Sequence, residues 1–278
     1  MLRLEALRLW RSRRPLVALF AVAFFIALMT LGFYTYAQAR TSGKADFHFT
    51  FENRSYFNGL TFTLYSFYFG SVLILPIFAA TEGGVQLAGD TASGVLKLFL
   101  TRPLSRSRIF FSKAVLGCGA CAVLAGFLLG ASLLVGLLFI GWGDITLYPG
   151  VLQMTASQQH LAESEALQRF LMAWPAATLS LIVPYSMSLL ISSWSKSPVN
   201  AVGCAVSLYL VMYVISEIHF FESLRPWLFT SDTACWRDLF QADVDWPSFL
   251  RKEVRLAGFA LVFFALAFRR FRLREELV

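Results

Sequence analysis

The chain has 278 residues, of which 57% are hydrophobic and only 15% charged, with 28 Phe. A water-soluble domain carries roughly 25% charged residues, so the composition points to lipid as the solvent. The net charge of +7 raises nucleic acid as a partner, but its distribution along the chain argues against that reading, as set out below.

A bilayer core takes about 20 consecutive apolar residues per helix. Backbone polar groups there must be satisfied within the segment, so long apolar runs are helices. The opening "MLRLEALRLWRSRR", residues 1–14, alternates Leu with Arg and reads as a short interfacial amphipathic helix. The first span follows at Pro15–Ala37 and the second at about Leu60–Ala80, with Glu82 just beyond its inner end as a structural ion-pair candidate. The third runs from near Ile109 to Ile140. At 1.5 Å per residue it is about 48 Å long against a core of about 30 Å, so it tilts strongly or extends into water. Residues 143–169 form a loop in which "SQQHLAESEALQRF" reads as an exposed helix. The fourth span is about Phe170–Trp194, with Pro175 and Pro184 as expected kinks, and the fifth about Val199–Ile215. Residues 217–248 carry Phe220, Phe221, Trp227, Phe229, Trp236 and Trp246 and read as an outer interfacial or re-entrant loop. The sixth span, about Phe249–Phe268, opens with charge, and Arg255 is expected to snorkel.

Six spans place both termini on one side. If that side is cytoplasmic, the inner segments hold 15 of the 24 basic residues and 5 of the 17 acidic ones. That asymmetry fits the positive-inside bias. The basic excess therefore sets orientation and contact with membrane lipids, and no nucleic-acid partner is expected. The expected fold is all-α, a polytopic membrane protein with six transmembrane helices in a single domain, residues 1–278, and cytoplasmic termini.

Motifs for chemistry are sparse. "SGKA" near Gly43 lacks the earlier Gly and the following Ser or Thr of a phosphate-cradling loop. No H-E-x-x-H or G-x-S-x-G occurs, the three His and four Cys show no ligand spacing, and no span carries paired central carboxylates. "CGAC" at Cys118–Cys121 lies in a Gly/Ala-rich helix, where small-residue packing is the better account. "GFLLG", Gly126–Gly130, suits close helix packing within or between subunits. Polar residues within spans read first as interhelical hydrogen-bonding groups. Thr61, Tyr65, Tyr68, Thr178 and Tyr185 are also candidate lining for a mildly polar cavity. No catalytic, cofactor-binding or metal-binding residue is expected, and the chain reads as a non-enzyme.

The most ordered polar stretch is "GDTASGVLKLFLTRPLSRSRIFFSK", Gly89–Lys113. Asp90 suits the N-cap of a short helix within 88–103. Leu96, Phe99 and Leu100 give that helix an apolar face, Pro103 stops it at Arg102, and Ser105 or Ser107 can cap the third span. A short rigid helix of this kind suits pushing on another protein.

Asp90, Gly94, Leu96, Leu100, Pro103, Ser105, Arg106 and Lys113, in this order and spacing, resemble the signature of ABC-2 type transporter permeases. Phe99 stands where that family often has Leu, and Asp90 replaces the more usual Glu. The six-span layout, the basic start, the "SSWSKSPVNAV" turn and the "FRRFRLREEL" end resemble the family too. The resemblance implies that region 88–103 is a coupling helix docking on a separate ABC ATP-binding subunit, with two ATPase copies serving a pair of permeases. ATP and Mg would sit on that subunit and no cofactor on this chain. The residues it assigns to the coupling contact are Glu82, Asp90, Ser93, Gly94, Lys97, Pro103, Ser105, Arg106 and Lys113. It further implies a homodimer in the bacterial inner membrane and export of a substrate; the short segments on both sides fit a small hydrophobic or amphipathic cargo, a lipid or peptide, better than a bulky polymer. The alternatives are a non-transporting anchor or mechanotransmitter of an ATPase, or a membrane-embedded enzyme.

Overall fold

The structure, a computed structural model, describes residues 5, 12–41, 58–94, 105–147 and 159–273, with the backbone alone for 36–41. Six long helices make up most of it: α1 (Arg14–Thr41), α2 (Gly59–Ala92), α3 (Arg106–Ile140), α4 (Glu163–Trp194), α5 (Pro198–Glu217) and α6 (Trp246–Leu273). The first five are long and apolar enough to cross a membrane. The uncharged stretch of α6 runs only from Leu256 to Phe268, about 20 Å of helix. The chain is thus a mostly helical, polytopic membrane protein. Most of the expected interfacial helix 1–14, and all of 95–104 and 274–278, lie outside the described residues.

The apolar sequence leaves little amphipathic pattern to orient these helices, so polar and small residues place them. α1 docks through one narrow stripe of Ala18, Val22 and Ile26, at helical i, i+4 spacing, and exposes Leu16, Phe20, Phe24 and Leu31 to the surroundings. α4 is the opposite case. Of its most apolar window 78% is buried, against 17% for α1, and it packs on α2, α3, α5 and α6. Pro175 and Pro184 both lie inside this continuous helix.

α2 does not stop near Ala80 as expected. It continues through "TEGGVQLAGDTA" to Ala92, because α4 supports that stretch. Ser188 Oγ donates to Ala80 O, and Ser192 Oγ donates to Gly84 O at 2.7 Å and accepts from Ala88 N at 2.9 Å. Ser192 thereby inserts into the backbone ladder of α2. Two π-helical turns interrupt the long helices, Gly70–Ile74 in α2 and Gly136–Ile140 in α3. A π turn shifts the hydrogen-bond pattern and leaves a carbonyl without its usual partner. Tyr209 of α5 supplies one, its hydroxyl donating to Val72 O at 2.6 Å.

At the end opposite the basic termini, Asn58 caps α2 by accepting from Thr61 N at 2.8 Å and donates to Asp144 O at 2.6 Å. The expected helix over 157–170 begins only at Glu163. Its first part instead pairs as a strand, β2 (Gln159–Leu161) against β1 (Ile145–Leu147), antiparallel with Thr146 opposite His160. This two-stranded element buries Ile145, Leu147 and Leu161, which a free helix there would expose.

Between α5 and α6 the chain forms three 3₁₀ turns, His219–Trp227, Phe229–Asp232 and Cys235–Phe240. The aromatics expected to mark an interface in this loop do not all face outward. Phe220 and Trp227 are exposed, but Phe229, Trp236 and Phe240 are completely buried. Trp236 packs edge-on against Phe67 of α2 with ring centroids 4.7 Å apart. Arg255 does not snorkel freely: it makes a two-pronged contact with the buried Asp232.

Candidate functional site

The inner end, so called from the charge bias, gathers the described residues of the coupling assignment. Lys113, about two turns into α3, lies at 4% exposure with its Nζ 2.6 Å from Asp90 Oδ2 of α2 and 3.3 Å from Glu5 Oε1. Asp90 and Glu5 are buried as well. Three charges removed from water persist because each opposes another; an isolated one would be far more costly. Lys113 holds the position because the start of α3 is pulled inward on both sides: Ile109 and Phe110 are buried, and Phe110 packs on Phe268 and Phe271 of α6.

Asp90 is not an N-cap. It lies in the last turn of α2, which the supporting hydroxyls of α4 keep helical to Ala92. α2 ends just before Gly94, whose φ of +70° is open to glycine at no steric cost; the stop expected at Arg102 lies outside the described residues. Ser93 N bonds to Gly89 O at 2.9 Å and Gly94 N to Thr91 O at 3.2 Å, closing the carbonyl end. Ser93 Oγ adds a bond to Gly89 O at 2.8 Å. Across the gap, Ser105 occupies the N-cap position of α3 without a side-chain cap bond, and Arg106 donates to Arg272 O of α6 at 3.0 Å. Lys97 and Pro103 lie outside the described residues.

Glu82, Gln86, Asp90, Ser93, Lys113, Glu5 and Arg14 border a cavity of about 190 Å³ at this end. Tyr185 of α4 is tied to two of these bordering residues, Gln86 and Lys113. The tyrosine is fully buried, with Oη 2.8 Å from Gln86 Oε1 and 3.1 Å from Lys113 O. A hydroxyl has one proton for these two acceptors. The Gln86 amide N–H is engaged by Glu82, so the one hydroxyl proton is shared between Gln86 Oε1 and Lys113 O. The ring sits on Gly117 of α3, where an added Cβ would come within 2.0 Å of it.

The five expected cavity residues do not converge. Thr61 is buried at the outer end of α2, Tyr65 and Tyr68 face Phe33 and Trp236 respectively, Thr178 Oγ1 donates to Trp174 O in its own helix, and Tyr185 is at the inner cluster. Several interior polar groups tie helices together, as in the Ser66–Ser132 contact at 2.9 Å between α2 and α3, while others, such as Thr81, Ser112 and Ser186, bond back to a carbonyl of their own helix. Gly130 of the GxxxG pair has open space beside it, and Gly126 abuts Trp174. A second cavity, about 480 Å³, is lined by apolar residues of α1 and α3 with Thr30 and Tyr34. Among the described residues, no group of three or more His, Cys, Asp or Glu is placed to hold a metal.

Sequence reasoning missed Glu5, Gln86 and Ser192. Glu5 is the one acid in a basic stretch, a signal that was available; Gln86 and Ser192 look like ordinary interior polar residues until the helices are assembled.

Two elements at this end therefore flank a polar segment and are joined through a buried charge pair. A comparison with curated proteins gives no match. The family described as ABC-2 family transporter protein matches residues 2–225, a stretch that takes in the charge cluster, both flanking helices and α5. The chain belongs to that family and is a membrane-embedded permease component of an ABC transporter.

Proposed function

We propose that residues 88–103 are the element through which a separate ABC ATP-binding subunit drives this permease. The observation that carries the reading is the Asp90–Lys113 contact. It binds the last turn of α2 to the first turns of α3, so a push on the segment between them acts on both helices as one body. Gly94 and Arg106 fix where that segment leaves and re-enters the fold. Glu82, Ser93 and Ser105 are its described neighbours, and Lys97 and Pro103 belong to the segment itself.

In this reading α6 is the sixth span, its short apolar stretch flanked by Arg255 and Arg269, and both termini are cytoplasmic. The chain is one domain. It works as a homodimer with two ATPase copies, which carry the ATP and Mg, in the bacterial inner membrane. The cargo is a small hydrophobic or amphipathic molecule moved outward. The cargo cavity is assigned to the interface between two copies; of the five expected residues, the partly exposed Tyr65, Tyr68 and Thr178 are the ones able to line it, since Thr61 and Tyr185 are buried inside the chain. Packed helices switch between discrete arrangements, so small displacements of the α2–α3 pair suffice.

The test is ATP hydrolysis by the complex purified from its own cells. Asp90→Ala is expected to leave permease and ATPase less firmly associated and to remove the permease's effect on hydrolysis. Wild-type association and hydrolysis in that variant would sink the coupling assignment.

A further inference from the structure

α4 touches both ends of the molecule. At its inner part, Tyr185 bonds toward Gln86 of α2 and the Lys113 carbonyl of α3, and Ser188 and Ser192 bond to the backbone of α2. At its outer part, Arg169 donates to Leu239 O and Gln241 O of the loop between α5 and α6, and Phe170 packs on Phe240 with ring centroids 4.9 Å apart. Arg169 and Tyr185 are 16 residues apart, about 24 Å along one helix. The same loop is held to α6 by Lys252–Asp238 at 2.5 Å and by Arg255–Asp232.

Within this loop Cys235 is buried, its thiol donating to Glu253 Oε1 at 3.1 Å. Burial first, and the Glu253 carboxylate second, push its pKa up, so the closed loop keeps it as an unreactive thiol.

We infer that α4 carries movement of the inner charge cluster to the outer loop 228–242, with Tyr185 as the positioning residue at the inner end of the rod. The inference rests on the coupling reading above and adds to it a path and an outer moving part. Its physical basis is that no other helix holds hydrogen bonds to α2 and α3 at the inner cluster together with the loop at the far end, among the described residues. Tyr185 makes the connection stiff. Its ring is seated on Gly117 with no room to slide, and its hydroxyl answers to both helices of the pair. When the pair moves, α4 moves with it, and the loop clamped by Arg169 and Phe170 is pulled against its anchors on α6.

The test uses Cys235 as a native reporter in membranes from cells producing the complex. N-ethylmaleimide labelling of the Cys235 peptide is followed by mass spectrometry, with and without ATP and orthovanadate. In the wild type the nucleotide state is expected to change the labelling rate. Tyr185→Phe keeps the ring on Gly117 and removes only the hydroxyl. It is expected to reduce the nucleotide-dependent change about fivefold or more, and Gln86→Leu to do the same. The double variant should add little, since both remove one link. Gln86→Leu carries the test alone if the tyrosine variant fails to insert.

A Cys235 rate indifferent to nucleotide in the wild type would overturn the inference, as would a full response in both single variants. Asp90→Asn separates the two levels. If it abolishes the response while Tyr185→Phe and Gln86→Leu keep it, the coupling reading stands and the α4 path falls. If the wild type responds and Asp90→Asn keeps the whole response, the coupling reading itself fails.

Discussion

Lys113 Nζ lies 2.6 Å from Asp90 Oδ2, and both side chains are almost completely removed from solvent. The two residues are close neighbours of a segment whose ends they hold together. Breaking one side of a buried pair strands the other charge, at about 3–5 kcal/mol. Lys113→Met is therefore expected to lower the thermal stability of the purified permease strongly. Replacing both, as Asp90→Leu with Lys113→Met, should cost clearly less than Lys113→Met alone. Thermal melts of the wild type, Lys113→Met and the double variant in detergent check the ordering; a double variant no more stable than Lys113→Met would mean the pair is not what buries the charges.

Much of this architecture was legible in the sequence. Apolar run length located five spans, because backbone satisfaction in hydrocarbon forces helix wherever a run is long enough, but it missed the polar extensions of α2 to Ala92 and of α4 back to Glu163. What stayed hidden depended on contacts from distant residues. Asp90 looked like a helix start because Asp favours N-caps and suits the positive end of the helix dipole. It instead lies in the last turn of a helix whose backbone Ser188 and Ser192 brace from more than 100 residues away. The outer loop misled in a related way. Its aromatic residues suit an interface, but Trp236 and Phe229 have a protein core to enter, and composition alone cannot distinguish lipid from protein as the apolar partner.

Gly94 gives a second prediction. Its φ of +70° costs a residue with a β-carbon about 1 kcal/mol, less for Asn and more for a β-branched side chain. Gly94→Asn should retain the permease's effect on ATP hydrolysis, and Gly94→Val should lose most of it. Gly94→Pro should be at least as damaging, since proline can neither adopt that φ nor donate to Thr91 O. The readout is hydrolysis by the purified complex alongside the level of each variant in the membrane. Equal activity for Asn and Val would show that the left-handed conformation is dispensable.

Gly117 and Tyr185 provide a third. A β-carbon at position 117 would meet the tyrosine ring at 2.0 Å. Gly117→Ala is expected to cost about 1–3 kcal/mol, as overpacking of a well-filled interior does. Tyr185→Leu in the same chain should recover part of that loss, because the clashing ring is gone. Melting temperatures of the two singles and the double give the interaction energy, and strict additivity would mean that the backbone moves apart instead of the ring being held.

The last prediction concerns the outer loop at rest. Asp232 is 3% exposed and its carboxylate meets the Arg255 guanidinium through two nitrogens. Charge-assisted hydrogen bonds of this kind contribute about 1.5–3 kcal/mol. Their loss in Asp232→Ala should raise the population of the open loop by about tenfold or more. The loop then exposes Cys235 without any nucleotide, so the maleimide labelling rate of that cysteine should rise by a similar factor. Asp238→Ala, which removes the more exposed Lys252 contact, should raise it less, because solvent already competes for that pair. Labelling of the exposed Cys204 on α5 serves as the internal reference and should stay constant. A rise at both cysteines would indicate general unfolding, whereas a rise at Cys235 alone identifies the 228–242 loop as a unit that opens on its own.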